Sequence, residues 1–148
     1  MTPEKLRSDH LPGVAALELL CFPDEPWSEQ SLALLCRENA VGEVITDEDG
    51  GVIAYGGMTF AAGEASVTNI ATHPAYRRRG MGLAVVSALI RDAAALGLAE
   101  IYLEVRPSNV PAIALYRALG FEDAGIRKNF YRFPREDALV MKKALPGV

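Results

Sequence analysis

The chain is poor in cysteine and has no long apolar run. Its 148 residues include only Cys21 and Cys36, which show neither a metal-ligand spacing nor a catalytic neighbour. We therefore expect two buried, reduced thiols, and no disulfide, metal site or cysteine nucleophile. Every apolar segment is shorter than the roughly 18 residues that a membrane helix needs, and the first residues are too polar for a signal peptide. These absences predict a cytoplasmic protein with no membrane partner.

The chain also lacks an excess of positive charge. It carries 15 Lys and Arg residues against 19 Asp and Glu residues, a formal net charge of −4. Because nucleic-acid binding generally needs a basic surface, we expect no nucleic-acid partner. Half of the residues are hydrophobic and 23% are charged, which is typical of a soluble domain with a buried core. No repeat or linker divides the sequence, so a single domain is expected over 1–148.

The periodicity of the apolar residues predicts alternating helices and strands. Helices are expected over 11–21, from Ser28 through Leu32, Leu35 and Cys36, over 80–96 and over 109–119, and strands over 41–46, 52–60, 65–72, 100–106, 122–127 and 137–142. The helix at 80–96 connects two strands, and such a crossover makes them parallel. The predicted fold is α/β: a mixed sheet of about six to seven strands with about four helices on both of its faces.

The segment from Arg77 to Gly82 places three arginines and two glycines at the start of a helix. A helix start leaves about four N–H groups unpaired and carries roughly half a positive charge, so it attracts anions. Glycine lets a phosphate approach the backbone, and arginine donates to phosphate oxygens. The segment lacks the Lys-Ser/Thr ending of a P-loop and the Gly-x-Gly-x-x-Gly spacing of a dinucleotide turn. The residues alone leave two interpretations: a phosphate cradle, or a solvated charge run before a glycine cap.

A second segment, 103–121, offers a carboxylate, an amide and a phenol. Glu104 lies in the middle of a predicted strand, either as a solvated residue or as a general base at the end where open α/β sheets place ligands. Asn109 and Tyr116 are seven residues apart on the following helix, so both face the same way. Tyr116 is either a core residue with a satisfied hydroxyl or part of a site.

Together the two segments resemble the GCN5-related N-acetyltransferase family, which moves the acetyl group of acetyl-CoA to an amine. The family's Arg/Gln-x-x-Gly-x-Gly/Ala motif matches Arg77, Gly80 and Gly82. Its second motif matches Asn109, Ala112, Leu115, Tyr116, Gly120 and Phe121. Further strings resemble the bacterial ribosomal-protein alanine N-acetyltransferase (RimI-like) subgroup; they are Pro26–Glu29, Thr68–Ala71, Leu103–Asn109 and Arg135–Ala138.

The resemblance implies acetyl-CoA as the acetyl donor, bound in a cleft between two splayed parallel strands, and no metal. The residues implied to bind it are Ile70, Ala71, Thr72, Arg77, Arg78, Arg79, Gly80, Met81, Gly82 and Asn109. The implied acceptor is the N-terminal alanine of a small-subunit ribosomal protein. The alternatives are another protein N-terminus, a lysine, a small-molecule amine, or a non-catalytic acetyl-CoA-binding module. A monomer is expected, with a weak dimer as the alternative.

The resemblance also implies catalytic roles. Glu104 matches the position of the subgroup's general base, and Tyr116 that of the family's general acid toward the CoA sulfur. A backbone amide near Ile70 is implied to stabilise the oxyanion. Aromatic residues in the first interhelical loop and near the end of the chain either wall a peptide groove or belong to the core, and for Phe22 we expect the core. Acidic residues in the same early region, including Asp24, Glu25 and Glu29, are either ordinary solvated residues or favour a basic peptide.

Overall fold

The computed structural model describes residues 1–146 and contains seven strands and four helices. The strands are β1 (Glu4–Lys5), β2 (Ala40–Thr46), β3 (Val52–Ala61), β4 (Glu64–Thr72), β5 (Glu100–Val105), β6 (Glu122–Arg132) and β7 (Arg135–Ala144). The helices are α1 (Leu11–Cys21), α2 (Glu29–Leu32), α3 (Met81–Ala95) and α4 (Val110–Ala118), with short 3₁₀ turns at Ser8–His10, Ala33–Cys36 and Pro74–Tyr76. No helix of these residues is long and apolar enough to cross a membrane.

The strands form one mixed sheet in the order β1-β2-β3-β4-β5-β7-β6. Only β4 and β5 pair in parallel, as the crossover through α3 requires, and their pairing ends after the pair Ser66 and Tyr102. Beyond that pair the two strands separate. On its other edge β4 carries a bulge, because the register with β3 skips Thr68 between Asn69 and Val67. A gap therefore opens in the middle of the sheet.

Helices cover both faces of the sheet, each over its own apolar cluster. Alternation along β2 illustrates this, since Val44 packs in the cluster beneath α1 and α2 while Ile45 packs in the cluster beneath α3 and α4. Val86 and Leu89 of α3 are completely buried in the second cluster. The predicted α/β class, mixed sheet and helices on both faces are confirmed.

Four expectations differ from the structure. The strand β1 was not predicted, since two exposed residues carry no alternation. The second helix is one turn of α-helix continued by a 3₁₀ turn, which buries Leu35 but leaves Cys36 exposed. The expected buried thiol is therefore wrong for Cys36, whereas Cys21 is half-buried. The last two strands are longer than predicted and extend as a hairpin whose outer residues 122–130 are exposed.

Candidate functional site

An inner cavity of about 210 Å³ lies where β4 and β5 separate. Residues 67–70 of the bulged strand line one side, and 103–106 line the other. Four of the predicted site residues line it: Ile70, Glu104, Asn109 and Tyr116. The splay thus brings the carboxylate of β5 and the phenol of α4 to one space, although 12 positions separate them in the sequence.

Glu104 lies in the middle of β5, opposite Val140 of β7. Its side chain is 23% exposed, so it is neither free in solvent nor sealed in the core. Arg127 Nε lies 3.5 Å from Glu104 Oε1. A carboxylate on the wall of the cavity is a group that can act as a general base.

Tyr116 is buried on the inner side of α4 and packs edge-to-face on Phe121, with the ring centroids 5.8 Å apart. Burial raises the pKa of Tyr116 to about 12. The phenol carries its proton at neutral pH, as a general acid must. Asn109 caps α4, since its Oδ1 accepts the Ala112 amide at 3.3 Å. Tyr116 is therefore both a buried core residue and a residue that lines the inner cavity, so its two interpretations are compatible.

The predicted cradle is an open helix N-terminus. Gly80 precedes α3 with a φ of +79°, a left-handed conformation that favours glycine, and no side chain caps the helix. At Gly82 an added Cβ would meet nothing closer than Leu115 Cδ2 at 3.7 Å, an ordinary contact. The protein itself therefore does not require glycine at this position. The first amides of α3 and the space beside them suit an anion.

The three arginines beside the cradle do not behave alike. Arg77 turns toward α1, donating from Nε to the Thr72 carbonyl at 3.3 Å and lying 4.0 Å from Cys21 Sγ. Arg79 lies over the ring of Tyr76, 5.3 Å from its centroid. All three arginines are exposed, and Arg78 has a φ of +66°. Arg77 is thus already engaged by the protein, whereas the other two guanidinium groups lie at the surface.

The end of β4 holds the remaining predicted donor-binding residues. The amide of Ile70 donates to Asn69 Oδ1 at 3.0 Å, so the expected oxyanion donor is already paired in this structure. Ala71 is buried in the cluster beneath α1, and Thr72 is half-buried. Their side chains are therefore not the groups that face the inner cavity.

An outer groove of about 740 Å³ adjoins the inner cavity. The loop between α1 and α2 forms one wall, and the turn between β6 and β7 forms the other. Both spaces are lined by Phe22, Thr68, Asn69, Arg106, Phe130 and Tyr131. Phe22 is 38% exposed, so the expectation of a core residue is wrong. Phe22 comes directly after the end of α1, so the helix does not direct its side chain into the core.

Arg132 and Arg106 make the ionic contacts at the turn of the hairpin, and the contact of Arg132 spans the outer groove. Arg132 donates to Glu25 Oε1 at 2.6 Å across it. On the inner side, Arg106 donates to the carbonyls of Phe133 and Pro134 and to Glu136, and its guanidinium carbon lies 4.2 Å from the centroid of the Tyr131 ring. The sequence interpretation gave Arg106 no role. An arginine directly after a strand carries no signal that its partners lie about 30 residues further along the chain.

Comparison with known proteins gives consistent matches. Residues 11–121 match the acetyltransferase (GNAT) family. The ribosomal protein bS18-alanine N-acetyltransferase of Escherichia coli (strain K12) is 42% identical over 123 residues, which cover 82% of this chain and 81% of the relative. The Haemophilus ducreyi (strain 35000HP) protein of that name is 34% identical over 119 residues, covering 78% and 81%. A crystal structure of the Escherichia coli ribosomal-protein-S18-alanine N-acetyltransferase superimposes with a TM-score of 0.89 at 36% identity, covering 99% of this chain and 95% of that one.

Proposed function

Because this chain belongs to the GNAT acetyltransferase family and is an acetyl-CoA-dependent N-acetyltransferase, we propose that it acetylates the N-terminal alanine of a small-subunit ribosomal protein. The family and the activity predicted from the two motifs are confirmed. The observation that carries the acceptor proposal is the 42% identity to an enzyme named for that substrate. It is supported by an inner cavity that adjoins an outer groove of about 740 Å³, with which it shares six lining residues.

In the proposed complex the pyrophosphate of acetyl-CoA binds at the start of α3. The uncapped amides of Met81 and Gly82 donate to it, and Arg78 and Arg79 supply charge from the surface. The thioester end reaches the inner cavity between β4 and β5 and passes Asn109 at the start of α4. Ile70, Ala71 and Thr72 contribute through the backbone of β4. These assignments rest on the motif and on the open geometry of the cradle.

The proposed transfer is direct. A protein N-terminal amine has a pKa of about 7.7 to 8.0, so a base must remove a proton before it can attack. Glu104 takes that proton, either directly or through a water molecule, and the amine attacks the thioester carbon. The tetrahedral oxyanion collapses and expels the CoA thiolate, which takes a proton from Tyr116, and the second proton of the attacking nitrogen passes through water to the phenolate. The thioester is already an activated acyl group, so the proposed reaction uses no metal.

The outer groove is the proposed acceptor site. Aromatic side chains of Phe22, Trp27, Phe130 and Tyr131 line it, and Asp24 and Glu25 add negative charge at its rim. Such a groove suits an extended peptide with basic residues after its first position. We further propose that the protein acts in the cytoplasm as a single-domain monomer, without nucleic-acid or membrane partners. A ribosomal protein substrate would be available in that compartment.

An acetylation assay tests the acceptor. The protein is incubated with acetyl-CoA and a panel of basic peptides that begin with alanine or with other residues, together with free lysine and polyamines, while CoA thiol release is followed. We expect the highest kcat/KM for the alanine peptides. Turnover of a small amine with none of any peptide would reject the proposed acceptor. No turnover of any member would also reject the proposed acceptor.

Two substitutions test the catalytic roles. Glu104→Gln and Tyr116→Phe are expected to lower kcat by roughly 100-fold each, since general acid and base groups contribute about that much or more. Both should leave CoA affinity nearly unchanged. Matched controls lie on β5, where Glu100→Gln and Tyr102→Phe alter side chains outside the inner cavity. If all four variants retain the wild-type kcat, the proposed roles are wrong.

A further inference from the structure

Glu18 is a completely buried carboxylate with no role in the mechanism above. It lies on α1, and its side chain has no exposed surface. Its Oε2 accepts from Tyr55 Oη at 2.5 Å and from Asn69 Nδ2. Its Oε1 accepts from the Trp27 amide at 2.9 Å. Burial raises the pKa of Glu18, while the three donors act in the opposite direction. Because burying a carboxylate is costly, stability alone is a weak reason for this residue.

The carboxylate determines which way the amide of Asn69 points. Both Glu18 oxygens are acceptors, so Asn69 must present its NH₂ group to Glu18. Its carbonyl oxygen then faces the other way, where it accepts the Ile70 amide at 3.0 Å. Protonation of Glu18 would not reverse this, since a protonated Oε2 still has a lone pair for Asn69 and Tyr55 Oη is able to accept the proton. Glu18 thus acts through Asn69 on the amide next to the inner cavity.

The same carboxylate also holds the outer groove. Trp27 lies in the loop that forms one wall of the groove, and its amide is tied to the second oxygen of Glu18. Asn69 lines both the inner cavity and the outer groove. One buried group therefore connects the wall on which an acceptor would lie with the bulged strand beside the thioester.

We propose that Glu18 is a positioning residue for the acetyl transfer, which fixes the Asn69 amide and the Trp27 loop relative to each other. The inference rests on the proposed function, because it takes the inner cavity and the outer groove as the sites of donor and acceptor. Glu18 touches neither substrate. Its effect is to hold the Ile70 amide and the groove wall in one geometry.

Glutamine cannot replace this carboxylate. A glutamine at position 18 has one acceptor oxygen and one NH₂ group, and three donors surround it. If the glutamine NH₂ takes the place of Oε1, it faces the backbone N–H of Trp27, and two donors then oppose each other. If its NH₂ faces Asn69, that amide must turn over, and its own NH₂ then opposes the Ile70 amide. Every arrangement leaves one buried donor facing another, which costs affinity or rate as well as stability.

The double variant Glu18→Gln/Asn69→Asp removes the conflict. The glutamine oxygen accepts the Trp27 amide, its NH₂ donates to the new carboxylate, and the other oxygen of that carboxylate accepts the Ile70 amide. We expect Glu18→Gln alone to lower kcat/KM for the acceptor by about tenfold or more, with KM for acetyl-CoA within about twofold. The double variant should recover to within about threefold of wild type.

Tyr55→Phe is the matched control. It removes one donor to the same carboxylate but leaves Asn69 and Trp27 bound, so it should lower the melting temperature while kcat/KM stays within about twofold of wild type. The inference is overturned if Glu18→Gln and Tyr55→Phe lose equal stability and both keep wild-type kinetics. It is also overturned if the double variant is no better than Glu18→Gln.

A spectroscopic measurement separates this inference from the proposed acceptor. The proton shift of the Ile70 amide reports its hydrogen bond to Asn69 and needs no acceptor. We expect that shift to move in Glu18→Gln and to return in the double variant, and an unmoved shift in Glu18→Gln would reject the inference. If the wild-type protein fails to acetylate alanine peptides, the proposed function fails. The kinetic comparison is then made with whichever amine of the panel releases CoA.

Discussion

The proposed donor end and the proposed acceptor end of the site are built in opposite ways. The donor end is made of backbone groups from the consecutive residues 70–82, between the end of β4 and the start of α3. The acceptor end is made of side chains from distant segments, as the contact of Glu25 with Arg132, 107 positions away, illustrates. Backbone geometry is fixed by a few local residues, whereas a wall of side chains depends on the whole fold. Activity should therefore be sensitive to added atoms that change the shape of the donor end. At the acceptor end it should be sensitive to the loss of contacts that hold the walls of the groove together.

Among the changes that compare the two ends, Gly82→Ala should have the largest effect. The added methyl fits the protein, so it would clash only with the pyrophosphate that we propose at the helix start. We expect kcat/KM for acetyl-CoA to fall by about tenfold or more, while the melting temperature stays equal or rises, because alanine favours helix by up to about 1 kcal/mol over glycine. Steady-state kinetics and thermal unfolding measure the two quantities.

Gly97→Ala is the control for that variant. Gly97 also has open space around its Cβ position, but its φ is +74°. Alanine is strained there, so this variant should lose stability and keep its KM for acetyl-CoA. If Gly82→Ala and Gly97→Ala change stability and the kinetics with acetyl-CoA in the same way, the donor end does not depend on the shape of the helix start.

The next effect should follow from Arg106→Ala, which cuts the tether between β5 and the turn of the β6–β7 hairpin. We expect KM for the peptide to rise by about tenfold and KM for acetyl-CoA to stay within about twofold. Arg117→Ala is the control, since it breaks an exposed contact with Asp123 outside both spaces. An equal rise in both KM values for Arg106→Ala would mean that the two ends are not separately built.

A smaller effect should follow from the ion pair across the outer groove. Glu25→Arg alone should change peptide KM by about twofold, because exposed ion pairs contribute little and salt screens them. The exchange Glu25→Arg/Arg132→Glu should restore KM if the pair holds the walls together. If the exchange is worse than the single variant, Glu25 instead attracts a basic peptide directly. Kinetics at low and high salt distinguish these outcomes.

The smallest kinetic effect should come from a second buried glutamate, which lies at neither end. Glu43 on β2 contacts Lys5 and is 4% exposed. Burial and the neighbouring Asp92 raise its pKa to about 7, against the effect of Lys5. The folded state therefore holds this proton more tightly than the unfolded state. The stability it contributes is complete below pH 4.5 or so and is lost as pH rises through about 7.

Thermal unfolding from pH 6 to pH 8 checks that titration. The wild-type protein should lose on the order of 1 kcal/mol of stability over this range from Glu43, and Glu43→Gln should remove that part of the slope. Neither KM should change, since Glu43 lies outside the inner cavity and the outer groove. An unchanged slope in the variant would assign the titration to another group.

The difference between a locally built donor end and an acceptor end assembled from distant segments explains which features could be predicted from the sequence. The cradle is a local property of glycines and a helix start, so its position follows from Gly80 and Gly82. Glu104 and Tyr116 follow from strand alternation and helix spacing, and the structure brings both to one cavity. The separation of β4 and β5 that brings the two side chains together is not encoded by any local pattern. The catalytic roles of Glu104 and Tyr116 stay predictions. The resemblance to a known family supplied what the spacing could not.

The acceptor end was beyond local reasoning. Phe22 has the large apolar side chain of a typical core residue, but it is exposed because it lies just after the end of α1. Residues 128–133 show no apolar alternation, because this end of the β6–β7 hairpin extends beyond its neighbour β5 toward the α1–α2 loop. Glu18 looks like an ordinary charged residue of an amphipathic helix. Its burial depends on Tyr55, Asn69 and Trp27, which arrive from three other segments.

The early end of the β4–β5 pairing has a consequence for the exchange of amide hydrogens with solvent. Central strands of a sheet are usually the slowest to exchange, because both edges of each strand are bonded. Past Ser66 and Tyr102, β4 and β5 each keep a partner on one edge only, so alternate amides of both strands face the inner cavity. Deuterium should therefore enter the middle of this sheet at every second residue. Those positions should become protected when a ligand fills the gap.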